Sequence, residues 1–414
     1  MAGSAAGRVL RDRTAGVFLA AVVVSGFGSS AMSLAAGIWV KSLTRSDSSA
    51  ALALFTVWLP VLFGPALGAV ADRLPRKPLL VWSNIVTALL LTTLTAVDSA
   101  GRIWILFAVL LLYGTSSVLM DSAESALVGR AVDARLLGDF NGLRMTANEG
   151  MKLVAPLTGA ALYARFGGVS VALLDAASFA LAAGLYGLLR VRRPAPAASG
   201  DTGDGAGGWT VGMRQVWGSP ALRPLVLAGS VTMLCAGLNG ATLYAVVDRT
   251  LGHSPAYAGV LSAVQGVGSV AIGLLAGPLL RRLPERVFTA VGIAVFGLAV
   301  GLRAVPNDAV ALVACGLIGA GLPCVLIAAM TAVQRETPDA LLGRTAATAN
   351  TLMFAPNAVA LALGAGLVAV VDVQVLLPLV GASAPAAAAL VLVTGRRGRL
   401  TGAPTAPLPS STEA

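Results

Sequence analysis

Residues Gly68 to Pro78 read G-A-V-A-D-R-L-P-R-K-P, a short basic hinge between two apolar runs, Ala50 to Ala71 and Leu79 to Val97. Each run is long enough to cross a bilayer, because a helix rises about 1.5 Å per residue through a hydrocarbon core about 30 Å thick. The hinge is therefore expected to be a tight turn at the cytoplasmic membrane face. Gly68 lets helices approach, Asp72 places a carboxylate at a helix end, and Arg73, Arg76 and Lys77 offer cations to that carboxylate and to lipid phosphates.

Composition extends this reading to the whole chain. Of 414 residues, 57% are hydrophobic and 12% charged, and the mean hydropathy is +0.83. Soluble domains carry about 25% charged residues, so this is a polytopic membrane protein. The net charge of +10 would suggest nucleic acid in a soluble chain; here the cations are sorted by membrane side, and no nucleic-acid partner is inferred. Cys235, Cys315 and Cys324 all lie in apolar runs, the last two about 13 Å apart along a helix, so neither a disulfide framework nor a metal site is indicated. No Ser/His/Asp set or phosphate loop can be assembled. The pattern argues against an enzyme and implies no cofactor.

Apolar runs of roughly 20 residues predict twelve membrane helices: Gly16 to Val40, Ala50 to Ala71, Leu79 to Val97, Ile103 to Val128, Phe140 to Ala164, Val169 to Leu189, Leu222 to Val247, Ala256 to Leu280, Val287 to Ala304, Ala309 to Val333, Thr345 to Val371 and Val373 to Val393. Arg8, Arg11 and Arg13 before the first run resemble the start of a signal peptide, but the many later spans favour a retained helix. Most cations then fall on one face, among them Arg73, Arg76, Lys77, Arg190, Arg192, Arg193, Arg281, Arg282, Arg335 and Arg344. Lys41, Arg45, Arg102, Arg165, Arg249 and Arg303 fall on the other. This bias is expected to hold both termini in the cytoplasm.

The expected organisation is a cytoplasmic tail over 1–15, a six-helix bundle over 16–190, a flexible linker over 191–219, a second six-helix bundle over 220–394 and a disordered tail over 395–414. The Pro/Gly/Ser-rich composition of Val191 to Ser219 marks the linker. The halves also repeat. A shift of 209 places Gly64, Gly68, Arg73, Leu74, Pro75 and Lys77 on Gly273, Gly277, Arg282, Leu283, Pro284 and Arg286. A shift of 200 places Arg144, Ala155 and Pro156 on Arg344, Ala355 and Pro356.

Gly68, Asp72, Arg73 and Lys77 resemble the loop 2–3 signature of the major facilitator superfamily, a glycine, three residues, then an acid and a basic cluster. Pro75 stands where the family usually has a second glycine and Pro78 where it usually has another cation. The resemblance implies an all-α fold of two pseudo-symmetric six-helix bundles rocking about a central cavity. Two further stretches are similar to the efflux branch that includes drug, macrolide and siderophore exporters. Gly150 to Ala160, G-M-K-L-V-A-P-L-T-G-A, is similar to the helix-five antiporter signature, with Ala155 replacing its usual glycine. L-L-D-A-A-S-F around Asp175 resembles that branch's helix six, although Asp175 itself is expected to serve a structural helix-start role.

Ionisable groups at bilayer depth are costly and so are functional candidates. Asn141, Arg144, Asn148 and Lys152 share one helix face, with Glu149 three residues before Lys152 and about 14 Å into the span. Two readings are open: Glu149 exchanges a proton under the influence of Lys152 and Arg144, or Glu149 and Lys152 form a permanent ion pair that fixes packing. Asp121 and Glu124 are placed to face Arg144 as an inner-gate salt bridge. Drug-antiporter relatives often carry a helix-four arginine, and none occurs between Ile103 and Val128. Pro156 and Pro356 are expected to kink their helices. His253, in an outer loop, is expected to be solvated. Gly266, Gly268 and Ala271 form a G-x-G-x-x-A that reads as helix packing. The expectation is a monomeric, proton-coupled exporter of an apolar or amphipathic molecule in a bacterial cytoplasmic membrane, its second half an almost uncharged wall. Proton-coupled uptake of a small metabolite and a non-transporting sensor or assembly partner are the alternatives.

Overall fold

The computed structural model of the protein describes residues 7, 9, 11–132, 136–189 and 205–384. Its first half holds α1 (Arg13–Thr44), α2 (Asp47–Trp58), α3 (Gly64–Arg73), α4 (Arg76–Thr92), α5 (Ile103–Ala131), α6 (Leu137–Phe166) and α7 (Gly168–Leu188). A connecting helix, α8 (Gly205–Gly218), leads to α9 (Leu222–Ala241), α10 (Ala258–Arg282), α11 (Glu285–Leu302), α12 (Asp308–Glu336), α13 (Asp339–Val370) and α14 (Val373–Ala384). Among the described residues, nine helices are long and apolar enough to cross a membrane, and Asp47–Phe63, Leu153–Phe166 and Val373–Ala384 are shorter apolar helices. The result is an all-α, multi-pass membrane protein.

The helices outlast the apolar runs that foretold them, because a helix ends at a cap and hydropathy ends at a charge. Asp12 Oδ1 accepts the Ala15 N–H at 2.8 Å and opens α1 ahead of Gly16. At the other end α1 runs past Val40 until Arg45 turns left-handed at φ 54°. The second span is broken at its centre: α2 passes through a 3-10 segment, Leu59–Phe63, before α3, since Pro60 has no N–H to donate. Pro156 and Pro356 both lie inside long helices, α6 and α13.

The hinge is a two-residue connection, and its repeat has the same backbone. Leu74 and Pro75 are extended at φ −101°, ψ 148° and φ −65°, ψ 122°. Leu283 and Pro284 match them at φ −112°, ψ 139° and φ −58°, ψ 140°. Lys77 Nζ donates to the carbonyls of Gly187 and Leu189 at 2.8 and 2.9 Å, capping the end of α7, and Arg76 Nη1 donates to Ala71 O at 2.6 Å. These cations hold α3, α4 and α7 together within one half, where a helix C-terminus favours positive charge. Lys77→Met is accordingly expected to cost about 1 kcal/mol, read as a lower unfolding midpoint of the purified protein. A Cβ built at Gly68 meets nothing within 4 Å, so the close helix approach expected there is absent from this conformation.

Each half has its own core. In the first, Phe18 takes both Phe140 and Tyr186 edge-on at 5.6 Å, within an apolar cluster drawn wholly from residues before 190. The second half buries Val226, Ile293, Val325 and Met353 in one cluster and Phe296, Val300 and Leu377 in another. Two smaller clusters straddle the halves, one around Ile38, Ala160, Tyr244 and Leu261, the other around Ala51, Leu361 and Ala365. The flexible linker expected over Val191 to Ser219 is corrected in its second part. There α8 is docked on the second half: Val216 is fully buried, and Gly212 lies so close to α13 that a Cβ would meet Thr348 Oγ1 at 2.2 Å. Residue 190 and the earlier part of that linker, residues 191–204, lie outside the described residues, as do the end of the last expected span, 385–393, and the tail 395–414.

Candidate functional site

The face bearing the hinge is called the basic face here, and the opposite one the far face. At the far face Lys41, in the last turn of α1, is buried to 7% exposure, and α2 begins with Asp47, buried to 2%. Beyond α9 the chain forms a wide π turn, Val246–Thr250. That turn presents the adjacent Asp248 and Arg249 to the first half. Lys41 Nζ contacts Asp47 Oδ1 at 2.7 Å and Asp248 Oδ2 at 2.6 Å, and Arg249 Nη2 contacts Asp47 Oδ2 at 2.7 Å. Two cations and two carboxylates thus join the halves in one alternating chain of charge. Beneath it the Tyr244 hydroxyl donates to Leu34 O at 2.8 Å, and Gly37 provides the space, since a Cβ there would sit 2.2 Å from that hydroxyl.

Contacts between the halves continue to mid-depth, and nearer the hinge α3 of the first half approaches α8 on the second. Gly259 lies against Ala160 and the Pro156 carbonyl, and Trp58 stacks on Phe354 with centroids 6.2 Å apart. Trp58 is about 16 Å along the second span, near the membrane centre. Toward the basic face a Cβ at Gly64, Gly68, Gly150 or Gly343 meets nothing within 4 Å. The halves are therefore joined by ions and close packing at the far face and are more openly apposed below mid-depth, where α3 and α8 still approach each other.

Two cavities lie at this junction and share Leu54 and Trp58. The first, about 400 Å³, is walled by the first half: Ser29, Ser30 and Ser33 of α1 face Tyr113, Ser117 and Asp121 of α5. The second, about 260 Å³, is walled mostly by the second half and includes Asn239, Gln265, Asn357 and Arg303 beside Phe296 and Leu361. Behind the first cavity, Glu124 is buried and accepts a 2.5 Å hydrogen bond from the Tyr186 hydroxyl. Arg144 of α6 acts electrostatically on Asp121, Glu124 and Tyr186. Among the described residues no ion pair within 4.0 Å joins it to either carboxylate.

The sequence of this two-halved, cavity-bearing chain matches the Major Facilitator Superfamily model over residues 17–361 and again over 226–406. The chain belongs to the major facilitator superfamily. As a member of that family it is a membrane transporter of small-molecule substrates. No curated protein matches the sequence. Solved structures similar to this major facilitator chain include the POT family transporter PepTSo, at TM-score 0.72 and 12% identity, covering 94% of this chain and 99% of that one. The nucleoside transporter NupG is similar at TM-score 0.74 and 12% identity, with 92% and 100% covered. A bacterial homologue of the iron transporter ferroportin, in an inward-facing state, is similar at TM-score 0.71 and 16% identity, with 93% and 99% covered. At such identities the likeness is one of fold.

Several expectations for this transporter are revised by its geometry. Lys41 and Arg303, counted among the cations of the far face, are both buried; the first is locked in the far-face network and the second, 2% exposed, lines the second cavity. The almost uncharged wall expected of the second half therefore carries one charged group among its described lining residues, Arg303. Asp175 does not start a helix: α7 begins at Gly168, and Asp175 is fully buried two turns further on. There Ser178 Oγ donates to its Oδ1 at 3.0 Å, Gly28 leaves room for both groups, and Tyr113 packs beside it. His253 is held rather than free, 3.0 Å from Asp308 and stacked on Tyr257 at 4.1 Å. Arg144 and Asn148 are partly buried on α6. The side chains of Asn141, Glu149 and Lys152 on the same helix, and of Asp72 on α3, lie outside the described residues. The α1 serines were not singled out from the sequence, although three hydroxyls in five residues of an apolar span are a readable sign of a polar lining.

Proposed function

We propose that the protein is a secondary active exporter, moving an amphipathic small molecule out of a bacterial cytoplasmic membrane by alternating access in exchange for protons. The observation that carries this reading is the asymmetric closure, with ions and Tyr244 sealing the far face while the halves are more openly apposed toward the basic one. The excess of Arg and Lys assigns the basic face, and with it both termini, to the cytoplasm, so the conformation is inward-facing. A cavity with serines and Asp121 on one side and Phe296, Leu361 and Trp58 on the other suits a molecule with polar and apolar parts. Export rather than import rests on the resemblance of Gly150 to Ala160 to the antiporter signature.

Asp121, Glu124 and Arg144 are assigned to proton coupling rather than to an inner gate. All three lie on α5 and α6 of one half, and rocking of two rigid halves neither makes nor breaks a contact inside either of them. A carboxylate pair near one arginine suits proton exchange, since neutralising one member changes what the others must balance. Glu149 and Lys152 extend the same helix deeper into the span and are assigned to the same path. The reading predicts that Glu124→Gln in proteoliposomes keeps counterflow of an amphipathic substrate but loses accumulation driven by a pH gradient about ten-fold or more. Undiminished pH-driven accumulation by this variant would remove Glu124 from the path. Accumulation with the gradient reversed would turn export into uptake.

A further inference from the structure

Arg303 follows the last residue of α11, one step from the far face, where an arginine ordinarily turns outward to keep its charge in water. Here it turns inward. Its side chain is 2% exposed, Nη1 donates to Asn239 Oδ1 at 2.6 Å, and Nε and Nη2 find no partner among the described residues. Among the described residues, those lining the cavity it reaches include no carboxylate. A buried cation without a counter-charge is among the most costly arrangements a protein holds, and replacing it with an apolar residue would ordinarily stabilise the fold. Something other than stability is served by it.

The two unpartnered nitrogens identify what is missing. Nε–H and one N–H of Nη2 point in parallel from the same edge of the guanidinium plane, and this edge takes both oxygens of a carboxylate at once. Asn239 holds the remaining nitrogen, so the group is fixed with that edge unpaired and dry. Around it Trp58, Phe296 and Leu361 supply apolar surface, and Asn357 and Gln265 supply further polar groups within about 260 Å³.

We propose that Arg303, positioned by Asn239, is the anion-binding element of the cavity, and that the transported molecule carries a carboxylate on a small apolar body. This deepens the transport reading and rests on it. In the inward-facing state the carboxylate lies against the second half and the apolar body against Trp58, so occupation draws the halves together.

Trp58 makes the test direct, because a bromine atom quenches indole fluorescence on contact. Bromophenylacetate is expected to quench the purified protein saturably, and its neutral amide to require about ten-fold more or not to saturate. Trp58→Phe removes the saturable component. Arg303→Gln removes the preference for the acid, while Arg303→Lys, which offers a point charge in place of two parallel donors, retains part of it. The unfolding midpoint of Arg303→Gln is expected to equal or exceed that of the wild type. Equal quenching of the wild-type protein by acid and amide overturns the proposal without need of any variant. So does an Arg303→Gln protein of lowered midpoint that still prefers the acid. A protein that alternates its accessibility yet treats acid and amide alike loses the anion site and keeps the transport reading; one that never alternates loses both.

Discussion

Replacing Asp47 with asparagine is expected to speed labelling of Cys315 from the far face about thirty-fold. Asp47 is the one member of the far-face network that touches both cations, Lys41 and Arg249, and it is almost dry. Removing one partner of a buried ion pair costs about 3–5 kcal/mol. Asp248 and Arg249 are about half exposed, which discounts the figure to about 2 kcal/mol, or roughly thirty-fold in the ratio of closed to open far face. Cys315 lines the second cavity and belongs to the straddling cluster beneath the network, next to Tyr244 and Leu261. With Cys235→Ala and Cys324→Ala in the background, a membrane-impermeant maleimide applied to the far face reports on that closure alone. Equal rates in the two proteins would mean that packing at Gly37 and Gly259 seals the far face and the charges do not.

The second large effect concerns stability. A Cβ at Gly319 would lie 1.8 Å from the Gln265 carbonyl oxygen of α10, a backbone atom that cannot yield without moving the helix. One turn away, a Cβ at Gly316 would meet only Val264 Cγ1, at an ordinary 3.7 Å. Gly319→Ala is therefore expected to cost about 3 kcal/mol and Gly316→Ala almost nothing. Small residues at such crossings let membrane helices approach to backbone contact. Thermal unfolding of the two purified variants provides the check, and a tolerated Gly319→Ala would mean that α10 and α12 are less tightly apposed than described. The reading of Gly266, Gly268 and Ala271 as helix packing fits the same crossing, since Gly268 lies against the Gly316 carbonyl.

How far the architecture was legible depended on the kind of signal. The R-L-P of each hinge was readable as a repeat because both copies must make the same extended two-residue turn between spans, and they do so with nearly equal dihedrals. The docked helix α8 was not readable as such, because Pro, Gly and Ser before it dominate the composition of the connection. Hydropathy also cannot distinguish a cation at a span end that turns to water from one that turns inward. For Lys41 a signal existed: Asp248 lies 207 residues further along, close to the shift that relates the halves, so equivalent helix ends meet there. For Arg303 there was none, since its partner Asn239 lies 64 residues back in a helix rich in small residues. Around Asp175 the partner at Ser178 was visible in D-A-A-S-F, whereas Gly28 and Tyr113 come from distant helices.

The far-face network has one dry centre and two wet ends. Asp47 and Lys41 are sheltered, while Asp248 and Arg249 stand partly in the medium. Dissolved ions screen exposed charges beyond about 8 Å at 0.15 M and closer in at higher concentrations. Brine on that side would weaken the wet ends and leave the dry pair intact, whereas the same salt on the other side would act on none of the four groups. Turnover should therefore respond to the ionic strength of one compartment and ignore that of the other.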